Sequence, residues 1–412
     1  MKDEKKLSIL LVSSYEFLQN PGGVKDFILG LKKNLLKLGC VVNVVAPGSQ
    51  KAREKGLVDY SLGMGFRVTT DQTEFRASLS RKETAEKILN SVKPDIIVLH
   101  EPFVPSIGHT IISSLSKIKD TRERPVIVGQ FHARRGDFNW SLTAAEFVFR
   151  HFIRRPKFNR RTVLGFSSGY VMTINSNLDA RIAVSQATKK FWEEKLPADY
   201  KVIYNGIDVD RLTPDGPKIK NWMRNKKKII LFAGRHDRRK GIEDLINAFN
   251  ILIWNDIDDI RLKITGRGEM TLVLEKMVRE LGLQRYVEFT GIFSQNNLAK
   301  AYRTADLMVA PSTEGEGFNR TIIEARSCGT LVVCTDIKGH QEAIGEDLYP
   351  FMAKPKNPEH LAQQIMAVLD MDKARKSKIS KKSREEAKAL FGWENIAKKH
   401  LNFYKSLVFE RK

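Results

Sequence analysis

Short apolar runs alternate with amphipathic stretches along this chain. Leu7–Val12 is apolar except for Ser8, the pattern of a strand buried on both faces. After Gly22-Gly23, the residues Val24, Phe27, Ile28, Leu31 and Leu35 share one face at helical spacing, and Gly39 stands where a C-cap glycine would. Val41–Val45, Ile96–Leu99 and Val126–Val128 repeat the apolar-strand pattern. The stretch from Arg76 to Lys93 reads as helical. The pattern restarts after the turn signal Asn205-Gly206. Ile229–Phe232, Leu262–Thr265, Val287–Phe289, Leu307–Ala310 and Leu331–Cys334 then predict five more strands with helices between. Phe391 to about Phe409 reads as one aromatic-rich amphipathic helix. Repeated β–α alternation with short apolar strands predicts an α/β chain of two doubly wound, Rossmann-like parallel-sheet domains, divided as 1–204 and 205–390 with a tail 391–412. Ligands of such sheets bind beyond the carboxyl ends of the strands, so two domains facing across a cleft would gather these loops around one site.

The strand-end loops of the second half carry the sharpest chemistry. Leu307–Ala310 runs into Pro311-Ser-Thr-Glu-Gly-Glu-Gly-Phe-Asn-Arg-Thr-Ile-Ile-Glu-Ala325, which sets Glu316 and Glu324 eight residues apart around Gly317-Phe318-Asn319. A helix start leaves backbone N–H groups unpaired and carries partial positive charge. Carboxylates accept hydrogen bonds from sugar and ribose hydroxyls. Together they describe a pocket for a phosphorylated, polyhydroxylated ligand. Gly234-Arg-His-Asp-Arg-Arg-Lys-Gly241 follows Ile229–Phe232 and precedes a helix expected to start near Ile242. Arg235 and Lys240 there can bind a diphosphate and stabilise the charge it gains on leaving, although a solvated basic loop is the plain alternative. Gly266-Arg267-Gly268 lets backbone approach a base or ribose, or is an ordinary turn.

The first half offers weaker signals. Gly22-Gly23 lacks the G-x-G-x-x-G spacing of a dinucleotide fingerprint, so NAD and FAD are not expected, but the pair allows close approach of a phosphate. Phe131-His132-Ala133 and His100-Glu101-Pro102 each put a histidine at a strand end. His132 can contact a reacting sugar or relay a proton, and a structural role is the alternative. Glu101 can hold the acceptor or orient His132.

Composition narrows the partners. Seventy Lys and Arg against 48 Asp and Glu give a net charge of +22, which favours an anionic partner: nucleic acid, an anionic membrane surface or a phosphorylated ligand. Arg154, Arg155, Lys157, Arg160 and Arg161 form one acid-free cluster, and Lys373 to Arg384 holds seven cations without an acid. Arg81, Lys82 and Lys87 add to the helical stretch before Lys93. Each cluster is a solvated face or a contact for anionic lipid, where a cation near the surface contributes roughly 1 kcal/mol. Cys40, Cys328 and Cys334 are scattered and read as buried structural thiols. No Cys/His cluster has zinc-ligand spacing. The apolar run after Met1-Lys-Asp-Glu-Lys-Lys reads as a first strand rather than a signal peptide, and no run of about 18 apolar residues predicts a transmembrane helix.

These residues converge on a family. Gly22-Gly23-Val24, Leu99-His-Glu-Pro102, Phe131-His-Ala133, Arg181-Ile-Ala-Val-Ser185, Asn205-Gly-Ile-Asp208, Gly234-Arg235 with Lys240-Gly241, and Glu316-x7-Glu324 together resemble retaining GT-B glycosyltransferases that use nucleotide sugars. The chain is most similar to their phosphatidylinositol mannosyltransferase branch. The resemblance implies that Arg235 and Lys240 hold the donor diphosphate, Glu316 the transferred sugar and Glu324 the ribose. It places Gly23 against the donor phosphates and His132 near the sugar, and sends the terminal helix back onto the first domain. It implies a hexose donor such as GDP-mannose, an anionic lipid acceptor, no metal or other cofactor, and a peripheral position at the cytoplasmic face of a membrane. Asn319 and Arg320 stand where the family usually has Gly and an apolar residue, and Arg326 where it has a small or apolar one. Asn tolerates positive φ, so the turn is expected to survive, and Arg320 is expected to add a cation beside the phosphate site. Two rival readings remain: transfer from UDP-glucose or UDP-GlcNAc to a soluble sugar or polysaccharide, and a basic nucleic-acid-binding protein. Against the second, no aromatic-interleaved basic strand or recognition helix stands out.

Overall fold

The computed structural model describes residues 6–411 except 19–21, 49, 70–73, 80, 105, 116–117, 119, 121, 134–168 and 225. The cluster Arg154, Arg155, Lys157, Arg160 and Arg161 lies outside the described residues. The chain forms two compact units, residues 1–206 with 393–412, and residues 207–392.

The first unit is a seven-stranded parallel sheet. Its strands are β1 (Ser8–Ser13), β2 (Val41–Ala46), β3 (Tyr60–Ser61), β6 (Ile96–His100), β7 (Val126–Phe131), β8 (Ala180–Ala183) and β9 (Lys201–Val202), in the order β3-β2-β1-β6-β7-β8-β9. The pleat explains the unbroken apolar runs. Ile9 and Leu11 face a core built with Phe27, Ile28, Leu31 and Leu35 of the Gly23–Lys37 helix. Leu10 and Val12 face the opposite core with Ile107, Ile111 and Ile127. Both faces are covered, so the middle of β1 is apolar on both sides, and each such side chain contributes roughly 1.5–3 kcal/mol.

The Trp393–Glu410 helix completes the first of these cores with Ile396, Ala397, Leu401 and Tyr404, and the Trp393 ring lies 5.4 Å from that of Phe27. Arg411 pairs with Asp179, which also takes Arg124 at 2.9 Å. The tail thus packs on the first unit. It begins at Trp393 rather than Phe391, because Gly392 is extended (φ −59°, ψ 137°) and separates it from the Lys373–Phe391 helix.

The stretch Arg76–Lys93 is not one helix. Residues Glu74–Leu79 (β5) pair antiparallel with Met64–Thr69 (β4), Phe66 opposite Ala77 and Val68 opposite Phe75, and the helix spans only Lys82–Val92. Phe75, Ala77 and Leu79 alternate with polar residues at period two, the signature of a strand, which the helix-favouring charges downstream obscured.

The second unit is a five-stranded parallel sheet of β10 (Lys228–Ala233), β11 (Ile260–Thr265), β12 (Val287–Gly291), β13 (Leu307–Ala310) and β14 (Leu331–Cys334), ordered β12-β11-β10-β13-β14. Neighbouring β10 and β13 bring the ends of their two loops together. Arg326 sits on the Arg320–Ser327 helix and is buried. It donates from Nε to Ser383 Oγ (2.8 Å) and from Nη1 to the Ala343 carbonyl (2.6 Å), and pairs through Nη2 with Glu386 (2.6 Å). It joins the Arg320–Ser327 helix to the Lys373–Phe391 helix.

The Lys373–Arg384 cluster divides in the same way. Lys376 donates to the Leu369 carbonyl, Lys382 pairs with Asp347 at 3.1 Å, and Arg384 donates to the Leu212 carbonyl. Lys373, Arg375, Lys378 and Lys381 remain exposed. Cys40, Cys328 and Cys334 are buried free thiols, and burial pushes Cys328 up to about 12. Among the described residues no helix is long and apolar enough to cross a membrane.

Candidate active site

In the second unit, the loop after β10 makes a short 3₁₀ turn over Arg238–Lys240 and enters the Ile242–Trp254 helix. The loop after β13 runs to the Arg320–Ser327 helix. The two loops are stitched by Thr313 N–H donating to the Arg239 carbonyl at 2.8 Å. Lys240 Nζ then reaches Glu316 Oε1 at 2.6 Å, and Ser312 Oγ donates to the same oxygen at 3.2 Å. Glu316 is buried. Burial by itself drives its carboxyl upward, but Lys240, helped by His340 and Arg239, outweighs this and holds it at about 2. Glu316 is therefore an ionised acceptor at any physiological pH. Lys240 uses one of its three N–H donors on it and keeps two for another anion. Arg235 is half exposed, with Nη2 3.6 Å from Asp237, which Arg239 also approaches at 3.3 Å.

Glu324 lies in the first turns of the Arg320–Ser327 helix. Its Oε2 accepts from Tyr302 Oη (3.1 Å), and its Oε1 faces Arg320 Nη2 (3.2 Å). Arg320 thus pairs with Glu324 one helical turn along. Asn319 corrects an expectation. Its φ is −92°, not positive, because it is the helix N-cap and its Oδ1 accepts from Thr321 N at 3.2 Å. An N-cap requires this extended backbone. Phe318 is buried with its ring 5.4 Å from Phe391, so Gly317-Phe318-Asn319 presents backbone, and the phenyl ring anchors the turn.

Gly266 and Arg267 close a third strand-end loop. Gly266 has φ +118°, and a Cβ there would lie 1.8 Å from the Gly234 carbonyl oxygen. The glycine is therefore demanded by the neighbouring loop, whatever ligand approaches. The Arg267 carbonyl accepts from His236 N, and its side chain is exposed.

The first unit carries its own constellation. Gly22 is the extended N-cap residue and Gly23 the first residue of the Gly23–Lys37 helix, both exposed. His100 and His132 end adjacent strands and hydrogen-bond, Nδ1 to Nε2, at 3.0 Å. The Phe27 ring packs edge-on to both, at 5.8 Å and 4.8 Å, and to His400 of the terminal helix at 5.8 Å. Burial, then the neighbouring His132 and His400, hold His100 well below the usual histidine range, so it is neutral.

Glu101 adopts a left-handed φ of +53° and is buried. Its Oε1 accepts from His132 N (2.8 Å) and Ala133 N (2.9 Å). The geometry is that of a brace on the His132 backbone. Burial raises its carboxyl from 4.5 to about 7 against the pull of those two bonds. A raised acid favours the protonated fold, so this contribution is complete below pH 4.5 and declines as pH climbs to about 7. Glu101→Gln keeps one oxygen for both N–H groups. It is expected to fold normally and to remove that decline, so that thermal stability rises more steeply with pH between 4.5 and 7 than in the wild type, and an unchanged slope would refute the assignment.

Sequence reading missed His340, Tyr302 and Ser312. His340 follows β14, so the strand-end rule could have flagged it. Tyr302 lies on the Gln295–Thr304 helix and gave no local signal.

Comparison with known proteins bears on this arrangement. The family described as "Glycosyl transferases group 1" matches residues 218–386, and that described as "Glycosyltransferase Family 4" matches residues 21–211. The phosphatidyl-myo-inositol mannosyltransferase of Mycobacterium leprae is 26% identical over 412 residues, covering 98% of this chain and 97% of that protein. Among solved structures, a glycosyltransferase from Rickettsia africae superposes with a TM-score of 0.74 at 19% identity, covering 99% of this chain and 100% of the other. Anabaena HepE in complex with UDP gives 0.73 at 18% identity, covering 97% and 100%. The two family matches leave little of the chain unaccounted for, and both sheets carry charged loops at their strand ends: the chain is a glycosyltransferase of the group 1 family, with the GT-B fold.

Proposed function

We propose that this enzyme is a retaining hexosyltransferase that moves mannose from GDP-mannose to an anionic lipid of the phosphatidylinositol type at the cytoplasmic surface of a membrane. The observation that carries the donor half is the Lys240–Glu316 contact: an ionised, buried acceptor for sugar hydroxyls fixed beside a cation with donors left for a diphosphate. Lys240 and Arg235 would stabilise the negative charge that develops on the diphosphate as the bond from C1 to its oxygen breaks. The acceptor hydroxyl would attack C1 on the same face, and its proton would pass to the departing diphosphate. Holding both reactants in one geometry supplies the rest of the rate. Two positive residues are the neutralising charge in this scheme, and it calls on no metal or other cofactor. The acceptor half is supported by the near full-length similarity to a phosphatidyl-myo-inositol mannosyltransferase and by the net charge of +22.

The test is transfer of labelled mannose from GDP-mannose into vesicles containing phosphatidylinositol, with retention of anomeric configuration read by NMR of the product. Labelled lipid is expected, and none is expected with UDP-glucose. Transfer from UDP-glucose or UDP-GlcNAc to a soluble sugar without vesicles would overturn the donor and acceptor assignment.

A further inference from the structure

We propose that Asn319 and His340 are a positioning pair for Glu316, holding the sugar-binding turn in register with the Lys338–Ile344 helix that follows β14. The inference rests on reading Glu316 and Lys240 as the donor site.

The contact begins at the backbone. A Cβ at Gly339 would lie 2.2 Å from the Glu316 carbonyl oxygen, so the helix start and the turn touch with no side chain between them. Asn319 N–H points back at the Gly339 carbonyl at 3.4 Å. The side chains then close a ring of bonds. Asn319 Nδ2 lies 3.0 Å from His340 Nε2, and His340 Nδ1 lies 3.0 Å from the Thr335 carbonyl. Thr335 Oγ1 donates to the Ser312 carbonyl (2.5 Å), and Ser312 Oγ donates to Glu316 Oε1 (3.2 Å). His340, Asn319, Thr335, Ser312 and Glu316 are all buried.

The donors and acceptors allow one assignment. Asn319 Oδ1 is occupied by Thr321 N and Thr321 Oγ1, so the amide turns its NH₂ to His340. His340 Nε2 accepts, and its Nδ1–H donates to Thr335. The ring works only with a neutral imidazole. The groups facing His340 are Asn319 and Glu316 from the turn, Thr335 from its own loop and Lys240 from the loop after β10. Burial lowers its pKa to about 4, while Glu316 and Thr335 oppose and Lys240 assists. A histidine lowered in the fold stabilises it fully above 6.5 and loses that contribution as pH falls toward 4.

Asn319→Asp reverses the sign. An acceptor would then face Nε2 while Nδ1 still donates to Thr335, so the ring closes only on a protonated imidazole. The stability of that variant is expected to fall as pH rises from 5 to 7.5, where the wild type is expected to gain. The experiment measures thermal unfolding of the full chain against pH without ligand, for wild type, Asn319→Asp and His340→Gln. Binding of GDP-mannose and of UDP-glucose is then measured calorimetrically for these and for Asn319→Gly, His340→Ala and Lys240→Ala. His340→Gln presents an amide oxygen to Asn319 and is expected to bind nearly as wild type. Asn319→Gly and His340→Ala strand a buried polar group and are expected to weaken binding of the preferred sugar nucleotide about tenfold. An unchanged pH slope in Asn319→Asp overturns the bonded ring. Donor binding that ignores both side chains overturns the positioning role alone. Failure of the wild type to bind either sugar nucleotide, or undiminished binding by Lys240→Ala, overturns the donor-site reading and the positioning role with it.

Discussion

Lys240→Ala is expected to lower turnover by about 10²–10³-fold, the loss typical of removing one donor that stabilises transition-state charge. The same substitution strips the ion-pair partner of Glu316 at 2.6 Å and leaves its buried carboxylate without that pairing. Its pKa should then rise from about 2 to above the ordinary 4.5. The two effects separate by pH. In the wild type the lowered acid contributes stability above pH 4.5 and loses it as pH falls toward 2. In Lys240→Ala the raised acid costs stability as pH rises through its new pKa. The double variant Lys240→Met with Glu316→Gln removes both charges and is expected to recover the thermal stability of the wild type while staying inactive. Near-wild-type turnover in Lys240→Ala would exclude this residue from the chemistry.

The largest stability effect is expected far from that chemistry. Arg326→Met should destabilise the chain by roughly 3 kcal/mol, since it breaks a buried pair and strands Ser383 Oγ and the Ala343 carbonyl. Glu386 is 27% exposed and can rehydrate, which keeps the figure at the low end of the range for buried pairs. Adding Glu386→Leu should recover much of the loss, because a buried ion pair and a well-packed apolar pair are often close in free energy. Urea unfolding monitored by tryptophan fluorescence reads both. A cost under about 1 kcal/mol would show that the guanidinium bonds contribute little over their desolvation.

The strands of both sheet centres were legible because a strand covered on two faces has no freedom to be polar. Leu307–Ala310 and Leu331–Cys334 were read to the residue. The outer strands of the first sheet were not, although Leu331–Cys334, at an edge of the second, was. Tyr60–Ser61 is too short to show a period, and Arg181 interrupts the apolar run of Ala180–Ala183. In the site, Glu316 and Lys240 could be paired on paper because each follows a strand end, and those strands prove to be neighbours. The partners that decide how these residues are held could not. Tyr302 reaches Glu324 from a helix 22 positions away, and His340 meets Asn319 across 21. Such contacts come from packing, on which local sequence is silent.

The helix Trp393–Glu410 has a consequence for the order of events during synthesis. Residues 207–392 are continuous and can close as soon as they emerge. The first 206 residues leave the ribosome with Ile9, Leu11, Phe27 and Leu31 still waiting for Ile396, Leu401 and Tyr404. The half made first is therefore finished last, contrary to the usual vectorial order. Its open apolar face must be kept from other chains for the whole time the second half takes to be translated.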